Sequence, residues 1–267
     1  MGNEYKTELY RAFRGTGFLM AAAAGLLIAF LDFAVMILPL REHIMEANYP
    51  LSVFAKWMGG ENASVFPTLY YFIVPILAAL PFAGSYKSDI KTGYFKNIAV
   101  RVSRKKYLRA KYIATFLSGG SVAVLPLIVN FMMVAMVLPA VKPQASTGYF
   151  PIFSYSMLGD LFYAHPYWYL AVYIGIDFIF FGLLATLALG AGYLCENLFT
   201  TILAPFIAYL FVYAVTQITN LHMFCPFGFL RPSQPIAARP EILLAEMAIM
   251  GAAGGVYYYW GSRQDIF

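Results

Sequence analysis

Long runs of apolar residues, separated by short polar segments, dominate the hydropathy pattern of this chain. About 20 mostly apolar residues are needed to cross the hydrocarbon core of a bilayer. Six stretches meet that requirement, although the second is short and contains Pro75 and Pro81. They cover residues about 17–40, 67–84, 110–140, 167–193, 199–221 and 241–260. The pattern therefore predicts an all-α, polytopic membrane protein with six transmembrane helices in a single domain, residues 1–267.

The composition agrees with a lipid environment for these helices. Hydrophobic residues make up 61% of the 267 positions, and charged residues only 12%. Soluble domains carry roughly 25% charged residues, because they must cover a water-facing surface. The mean hydropathy of +0.68 indicates the same environment. We therefore expect a multi-pass protein of the cell membrane, without a separate soluble domain.

The distribution of lysine and arginine predicts the orientation, since both are enriched in cytoplasmic loops. With the N-terminus inside, 13 of the 18 basic residues lie in cytoplasmic segments, and nine of them fall between Lys87 and Lys111. Both termini are then cytoplasmic. The predicted external loops are residues 41–66, 141–166 and 222–240.

The first fifteen residues have an amphipathic pattern. Apolar and charged side chains recur at helical spacing in the sequence MGNEYKTELYRAFRG. This pattern is typical of an interfacial helix that lies along the inner leaflet of a membrane. A frayed basic tail is the alternative. We expect the helix, over residues 1–15.

The sequence contains no recognisable catalytic or cofactor-binding motif. The phosphate-binding pattern G-x-x-x-x-G-K-[ST] and the dinucleotide pattern G-x-G-x-x-G are both absent. The patterns H-E-x-x-H and G-x-S-x-G are absent as well, and two cysteines cannot form a metal framework. Three histidines fall in predicted external loops, where we expect them to be solvated. We therefore expect no enzymatic step, no metal or cofactor in this chain, and no nucleic-acid partner.

The basic cytoplasmic loop, residues 85–109, carries the most informative pattern. An electrostatic anchor to lipid headgroups would explain its cations, each contributing about 1 kcal/mol near the surface. It would not explain the order of the other residues, which is an acidic residue, a glycine, an apolar patch, a turn and a lysine. The positions are Asp89, Gly93, Tyr94, Phe95, Ile98, Arg101, Ser103, Arg104 and Lys111. We expect a short helix that exposes Tyr94, Phe95 and Ile98 as an interaction surface.

This loop resembles the corresponding loop of the ABC-2 type permease family, the membrane subunits of ATP-binding-cassette exporters. In that family an acidic residue is followed by a glycine, a hydrophobic stretch, a Pro-x-Ser-Arg-like turn and a lysine that starts the third helix. The matching positions are Asp89, Gly93, Ser103, Arg104 and Lys111. Arg101 stands where the family usually has proline, which predicts a looser turn. The resemblance extends to the amphipathic N-terminal helix, the six-span layout and the proline-rich segment 225–240.

The resemblance implies that this chain works with a separate ATPase. Residues about 87–97 would form a coupling helix seated in a groove of an ABC-type ATPase subunit, which would bind ATP and Mg²⁺. The coupling residues would be Lys87, Asp89, Ile90, Lys91, Gly93, Tyr94, Phe95, Lys96 and Ile98. Two permeases, either identical copies or a copy and a paralogue, would enclose a path for an amphipathic, peptide or lipid-like substrate.

Three polar residues lie inside the predicted spans, at a similar depth of roughly 12–15 Å below the external surface. They are Asp32, Asn130 and Asp177. They either face a common hydrated cavity on a substrate path, or each bonds a different neighbouring helix. The first case also allows an ion-coupled secondary carrier, with Asp32 and Asp177 as coupling groups. A non-transporting membrane scaffold or immunity protein is a third alternative.

Overall fold

The chain folds into a bundle of long helices joined by shorter ones. The computed structural model describes residues 3–43, 51–61, 64–99, 102–148, 150, 152–153, 156–195, 197–233 and 239–263. Secondary structure within these ranges is entirely helical, as predicted. Among the described residues, five helices are long and apolar enough to cross a membrane: Thr16–Glu42, Arg104–Ala135, Pro166–Leu194, Leu198–Ile218 and Pro240–Arg263. They are compatible with a multi-pass membrane protein.

We number the α-helices of the described ranges in chain order. The first six are α1 (Asn3–Arg14), α2 (Thr16–Asp32), α3 (Val53–Lys56), α4 (Val65–Ala79), α5 (Ser85–Lys91) and α6 (Tyr94–Ala99). The others are α7 (Arg104–Ala135), α8 (Gly159–Ala164), α9 (Pro166–Leu194), α10 (Leu198–Ile218), α11 (Pro226–Phe229) and α12 (Pro240–Arg263). The first long helix continues past Asp32 as a π-helical stretch, Phe33–Ile37, and a 3₁₀ stretch, Leu38–His43. α7 begins at Arg104, so it includes residues that the sequence assigned to the loop 85–109.

Helix α4 is shorter than the second predicted span, 67–84. Its 15 residues extend about 22 Å at 1.5 Å per residue. It runs antiparallel to α2. At one end the Ser64 hydroxyl donates to Asp32 Oδ1 at 3.2 Å, and at the other end Gly17 lies against the backbone of Leu80. α4 therefore lies alongside α2 from Asp32 back to Gly17.

The centre of the bundle is the pair α7 and α9. Small residues bring their backbones close together. A Cβ added at Gly182 would lie 2.8 Å from the Phe116 carbonyl oxygen, and one added at Gly119 would lie 2.7 Å from the Ala185 Cβ. Because lipid provides no hydrophobic driving force between helices, close contact of this kind stabilises membrane bundles. Helices α2, α4, α10 and α12 pack around the pair.

One predicted external loop, 41–66, is partly folded into the bundle. We call its residues 51–61 the inserted segment. Within this segment the Trp57 side chain is 3% exposed and Met58 is 0% exposed. The Met58 amide donates to Asn130 Oδ1 on α7 at 2.7 Å. The segment is therefore part of the core at that end of the bundle, because its apolar side chains and its backbone both find partners there.

Candidate functional site

Four charged side chains meet where the N-terminal helix, the basic loop and the start of α7 come together. α1 supplies Glu8 and Arg11, α5 supplies Asp89, and α7 supplies Lys111. Glu8 and Asp89 are 2% exposed and Lys111 is 0% exposed, whereas the Arg11 side chain is 32% exposed. We call these four residues the charge cluster. Two carboxylates and two cations make it neutral overall, which limits the cost of burying its charges.

Lys111 lies at the centre of the charge cluster. Its ammonium nitrogen is 2.7 Å from Asp89 Oδ2 and 3.1 Å from Glu8 Oε2. Arg11 completes the ring, with Nη2 at 2.7 Å from Asp89 Oδ1 and Nη1 at 3.0 Å from Glu8 Oε1. The Tyr107 hydroxyl also donates to Asp89 Oδ2, at 2.6 Å. Because each carboxylate bridges both cations, removing one cation leaves two buried carboxylates with a single counter-ion.

Aromatic rings lie next to both cations. The Phe82 ring centroid is 4.5 Å from Lys111 Nζ and 5.7 Å from Arg11 Cζ. The Tyr94 centroid is 4.5 Å from Arg11 Cζ. Cation–π contacts contribute about 0.5–2 kcal/mol each, with the larger values where water is excluded. These rings therefore help to hold the cations within reach of the carboxylates.

The contacts around Asp89 determine its ionisation state. Burial by itself raises the pKa of its carboxyl, but the hydrogen bond from Arg11 and the nearby Lys111 ammonium outweigh burial, so the pKa lies below its ordinary value of 3.8. A carboxylate with a lowered folded-state pKa stabilises the fold at pH values above its unfolded pKa. This stabilisation is complete at neutral pH and is lost as the pH falls below 3.8 through the folded pKa. Asp89 therefore remains an anion at physiological pH.

The sequence identified only part of the charge cluster. The sequence predicts Asp89 and Lys111 as motif positions, whereas Glu8 and Arg11 lie in the predicted N-terminal helix 1–15 and carry no predicted contact with them. One available signal was the position of Lys111 at the start of an apolar helix, where a buried ammonium needs a carboxylate. A second was the spacing of Glu8 and Arg11, three residues apart on one helix face.

The predicted coupling helix, 87–97, is two short helices instead of one. Gly93 separates α5 from α6 with a φ of +73°, in the left-handed region that glycine adopts without strain. This conformation ends α5 in the usual manner of a helix followed by glycine. A continuous helix over these residues is therefore excluded.

The apolar patch of the loop is more buried than expected. Phe95 is 3% exposed, so the prediction that it is exposed is wrong. Its ring packs 5.2 Å from that of Tyr107 and 5.7 Å from the Arg104 guanidinium carbon, while Tyr94 and Ile98 are half-buried. The patch is thus used within the chain, against the start of α7. The exposed residues of α5, α6 and the turn between them, which we call the exposed loop face, include Ile90, Lys91, Thr92 and Asn97.

Of the remaining predicted loop residues, Lys87 contacts the residue after α9 and Ser103 directly precedes α7. Lys87 donates a hydrogen bond to the carbonyl oxygen of Cys195, in the turn between α9 and α10. Ser103 is the N-cap residue of α7, in extended conformation. Arg101 and the side chain of Lys96 lie outside the described part of the chain.

The structure brings together two of the three polar residues predicted inside the spans. Asn130 Nδ2 donates to Asp32 Oδ2 at 2.9 Å and to the Ala29 carbonyl oxygen at 3.2 Å. Asp177 has a separate partner, because its Oδ2 accepts from the Tyr71 hydroxyl at 2.9 Å. Asp177 Oδ1 has no hydrogen-bond partner within the described ranges. Asp32 and Asn130 thus join α2 to α7, and Asp177 joins α9 to α4.

The charge cluster consists of carboxylates, an ammonium and a guanidinium, a set suited to holding helices together. Within the described ranges, no group of three or more His, Cys, Asp or Glu side chains could hold a metal ion. No protein-family model matches the chain, and neither a curated protein nor a solved structure is detectably similar to it.

Proposed function

We propose that the chain is the permease subunit of an ATP-binding-cassette exporter in the cell membrane. A separate ATPase subunit holds ATP and Mg²⁺, and the cargo is an amphipathic, peptide or lipid-like molecule. One observation carries the proposal. The charge cluster fixes α5 to α1 and α7, while the exposed loop face on α5 and α6 is available to a partner protein. A second copy of the chain, or a paralogue, completes the transport path.

The charge cluster gives α5 the rigidity that a coupling element needs. A partner that displaces α5 also displaces Asp89, whose carboxylate is bound to both Lys111 and Arg11. A movement of α5 relative to α7 would leave buried charges without their counter-ions. The two helices therefore move together. α7 has 32 residues and extends about 48 Å, enough to transmit the movement across the bundle.

The proposal requires six spans, with both termini in the cytoplasm. Because Arg11 and Asp89 are 2.7 Å apart, α1 and α5 lie at the same end of the bundle. The chain between them must then cross the membrane an even number of times, and α2 and α4 are the two helices available. α4 is only about 22 Å long, so the bilayer must thin locally or the turn at 80–84 must complete the span.

Single-cysteine labelling tests this topology. In a variant in which Cys195 and Cys225 are replaced by alanine, Lys6→Cys and Thr92→Cys are expected to resist a membrane-impermeant maleimide added to intact cells. Lys142→Cys is expected to react. All three positions are exposed, so each should react after permeabilisation. Labelling of Lys6→Cys and Thr92→Cys from opposite sides would mean an odd number of crossings between α1 and α5, which would exclude the arrangement in which both α2 and α4 are spans.

Substitution at the exposed loop face tests the partner. Ile90 is 47% exposed, and burying such a side chain at an interface contributes about 2 kcal/mol. Ile90→Asp is therefore expected to weaken binding of a P-loop ATPase by roughly thirtyfold or more. The measurement is the amount of ATPase, identified by mass spectrometry, that co-purifies with the tagged chain, together with its ATP hydrolysis.

Leu221 provides a matched control for Ile90. It is 49% exposed but lies after α10, at the opposite end of the bundle from α5. Leu221→Asp is expected to retain the ATPase. Equal retention by both variants, or equal loss, would contradict docking at the exposed loop face.

The unpaired oxygen of Asp177 favours a second candidate, the ion-coupled secondary carrier. A buried carboxylate oxygen without a hydrogen-bond partner can accept a proton or a cation. Reconstitution of the purified chain into liposomes separates the two candidates. Transport driven by an ion gradient without nucleotide, and abolished by Asp177→Asn, would support the carrier. Transport that requires the ATPase and ATP would support the exporter.

A further inference from the structure

A cavity of about 450 Å³ opens between α7 and α12, at the basic end of the bundle. α7 begins at this end and α12 finishes there, because Gly261 of α12 packs against the Leu108 side chain of α7. α12 lies on the outside of the bundle, with Tyr259 50% and Trp260 49% exposed. Exposed aromatic residues near the end of a membrane helix are typical of the headgroup region. The cavity is therefore placed at the boundary between headgroups and acyl chains.

Three glycines of α12 shape this cavity. Gly254 is in contact with the Tyr112 ring, which leaves no room for a side chain there. Gly251 and Gly255 have nothing within 4 Å of an added Cβ, so the space beside them is open. Gly251 lies seven residues before Tyr258, about 10 Å further into the bundle along the helix axis. The open space thus forms an apolar groove that runs inward from the headgroup region.

The mouth of the groove is polar and positive. Arg109 is exposed and is the one charged residue of the described chain that lines the cavity, with its Cζ 5.3 Å from the Tyr258 ring centroid. An exposed guanidinium at the end of an apolar groove is suited to a phosphate oxygen.

We propose that this groove binds an anionic phospholipid from the leaflet at the basic end of the bundle. Its phosphate contacts Arg109, and one acyl chain lies in the groove beside Gly251 and Gly255. Basic pockets between membrane helices on the cytoplasmic side commonly hold anionic headgroups. Both the charge at the mouth and the apolar interior match this ligand, whereas a soluble anion would leave the interior of the groove unfilled.

Native mass spectrometry of the purified chain, incubated with equal amounts of phosphatidylglycerol and phosphatidylcholine, tests the site. We expect one phosphatidylglycerol to be retained in preference to phosphatidylcholine. Arg109→Gln should lower its retention by roughly fivefold, the factor expected for one cation–headgroup interaction near the membrane surface. Gly251→Leu should remove retention of both lipids by filling the groove, and it raises helix propensity, so the chain should fold.

Two control variants make the outcome specific. Lys106→Gln removes an exposed cation that does not line the cavity, and Gly190→Leu fills open space on α9. Both are expected to retain phosphatidylglycerol as the unmodified chain does. Equal retention of both lipids by the unmodified chain, or an equal loss with Lys106→Gln, would overturn the site. The site would also be overturned if the chain formed a dimer that only Gly251→Leu disrupts, because a second copy of the chain would then cover the groove. The assay uses the chain without an ATPase, so its result is independent of the proposed transport function.

Discussion

Lys111→Met is expected to lower the free energy of unfolding by about 3–5 kcal/mol, because it leaves two buried carboxylates with only one cation. Methionine is close to lysine in size, so the loss reports the missing charge rather than a cavity. Glu8 and Asp89 are each only 2% exposed and cannot be hydrated without opening the contact between α1 and α7. The measurement is unfolding by SDS titration in detergent micelles, followed by circular dichroism.

Two further variants show whether charge balance explains the loss. Lys106→Met removes an exposed lysine from the same helix and should change stability by no more than about 0.5 kcal/mol. Adding Glu8→Gln to Lys111→Met restores neutrality, so the double variant should be more stable than the sum of the single losses predicts. If the loss of stability in the double variant equals the sum of the two single losses, Glu8 and Lys111 do not interact as the structure indicates.

Asn130→Leu is expected to cost about 3 kcal/mol and to release the inserted segment. Asn130 donates to Asp32 and accepts from the Met58 amide, so the substitution leaves two buried polar groups without one of their partners. Each such group costs about 1–3 kcal/mol. Thermal unfolding measures the cost, and the rate of trypsin cleavage after Lys56 measures the release.

An exposed asparagine provides the comparison for Asn130. Asn197 precedes α10 and its side chain makes no capping hydrogen bond, so Asn197→Leu should leave both the melting temperature and the cleavage rate nearly unchanged. Faster cleavage with an unchanged melting temperature would show that the inserted segment moves independently of the bundle. Unchanged cleavage in Asn130→Leu would show that its apolar side chains alone hold it.

The long helices were predictable from the sequence because a membrane span requires little more than length and apolar composition. Their packing was not predictable. Lipid-facing and core-facing positions are both apolar, so the periodicity that reveals the buried face of a soluble helix is weak here. The same ambiguity concealed the inserted segment. Trp57 and Met58 could face lipid, water or the bundle, and only the tertiary structure shows that they are buried.

The charge cluster illustrates a second limit of sequence reasoning. The pattern of the loop indicated Asp89 and Lys111 as motif positions. A pattern of residue types does not predict which side chains each of them contacts. An apolar patch in a loop also looks the same whether it binds another protein or its own chain. Phe95 was therefore expected at the surface, although it packs on Tyr107. The coupling role of the loop stays a prediction.

The long sequence separation within the charge cluster imposes an order on biosynthesis. Lys111 is translated 103 residues after Glu8, an interval of about 5–20 s at ribosomal rates of about 5–20 residues per second. Until then, Glu8 of α1 has no ammonium partner from α7. The docking of α1 on Lys111 can follow only after α2, α4 and the start of α7 have been made. The contact between Lys111 and Glu8 therefore forms late, and it completes the packing of α1 only once the start of α7 has left the ribosome.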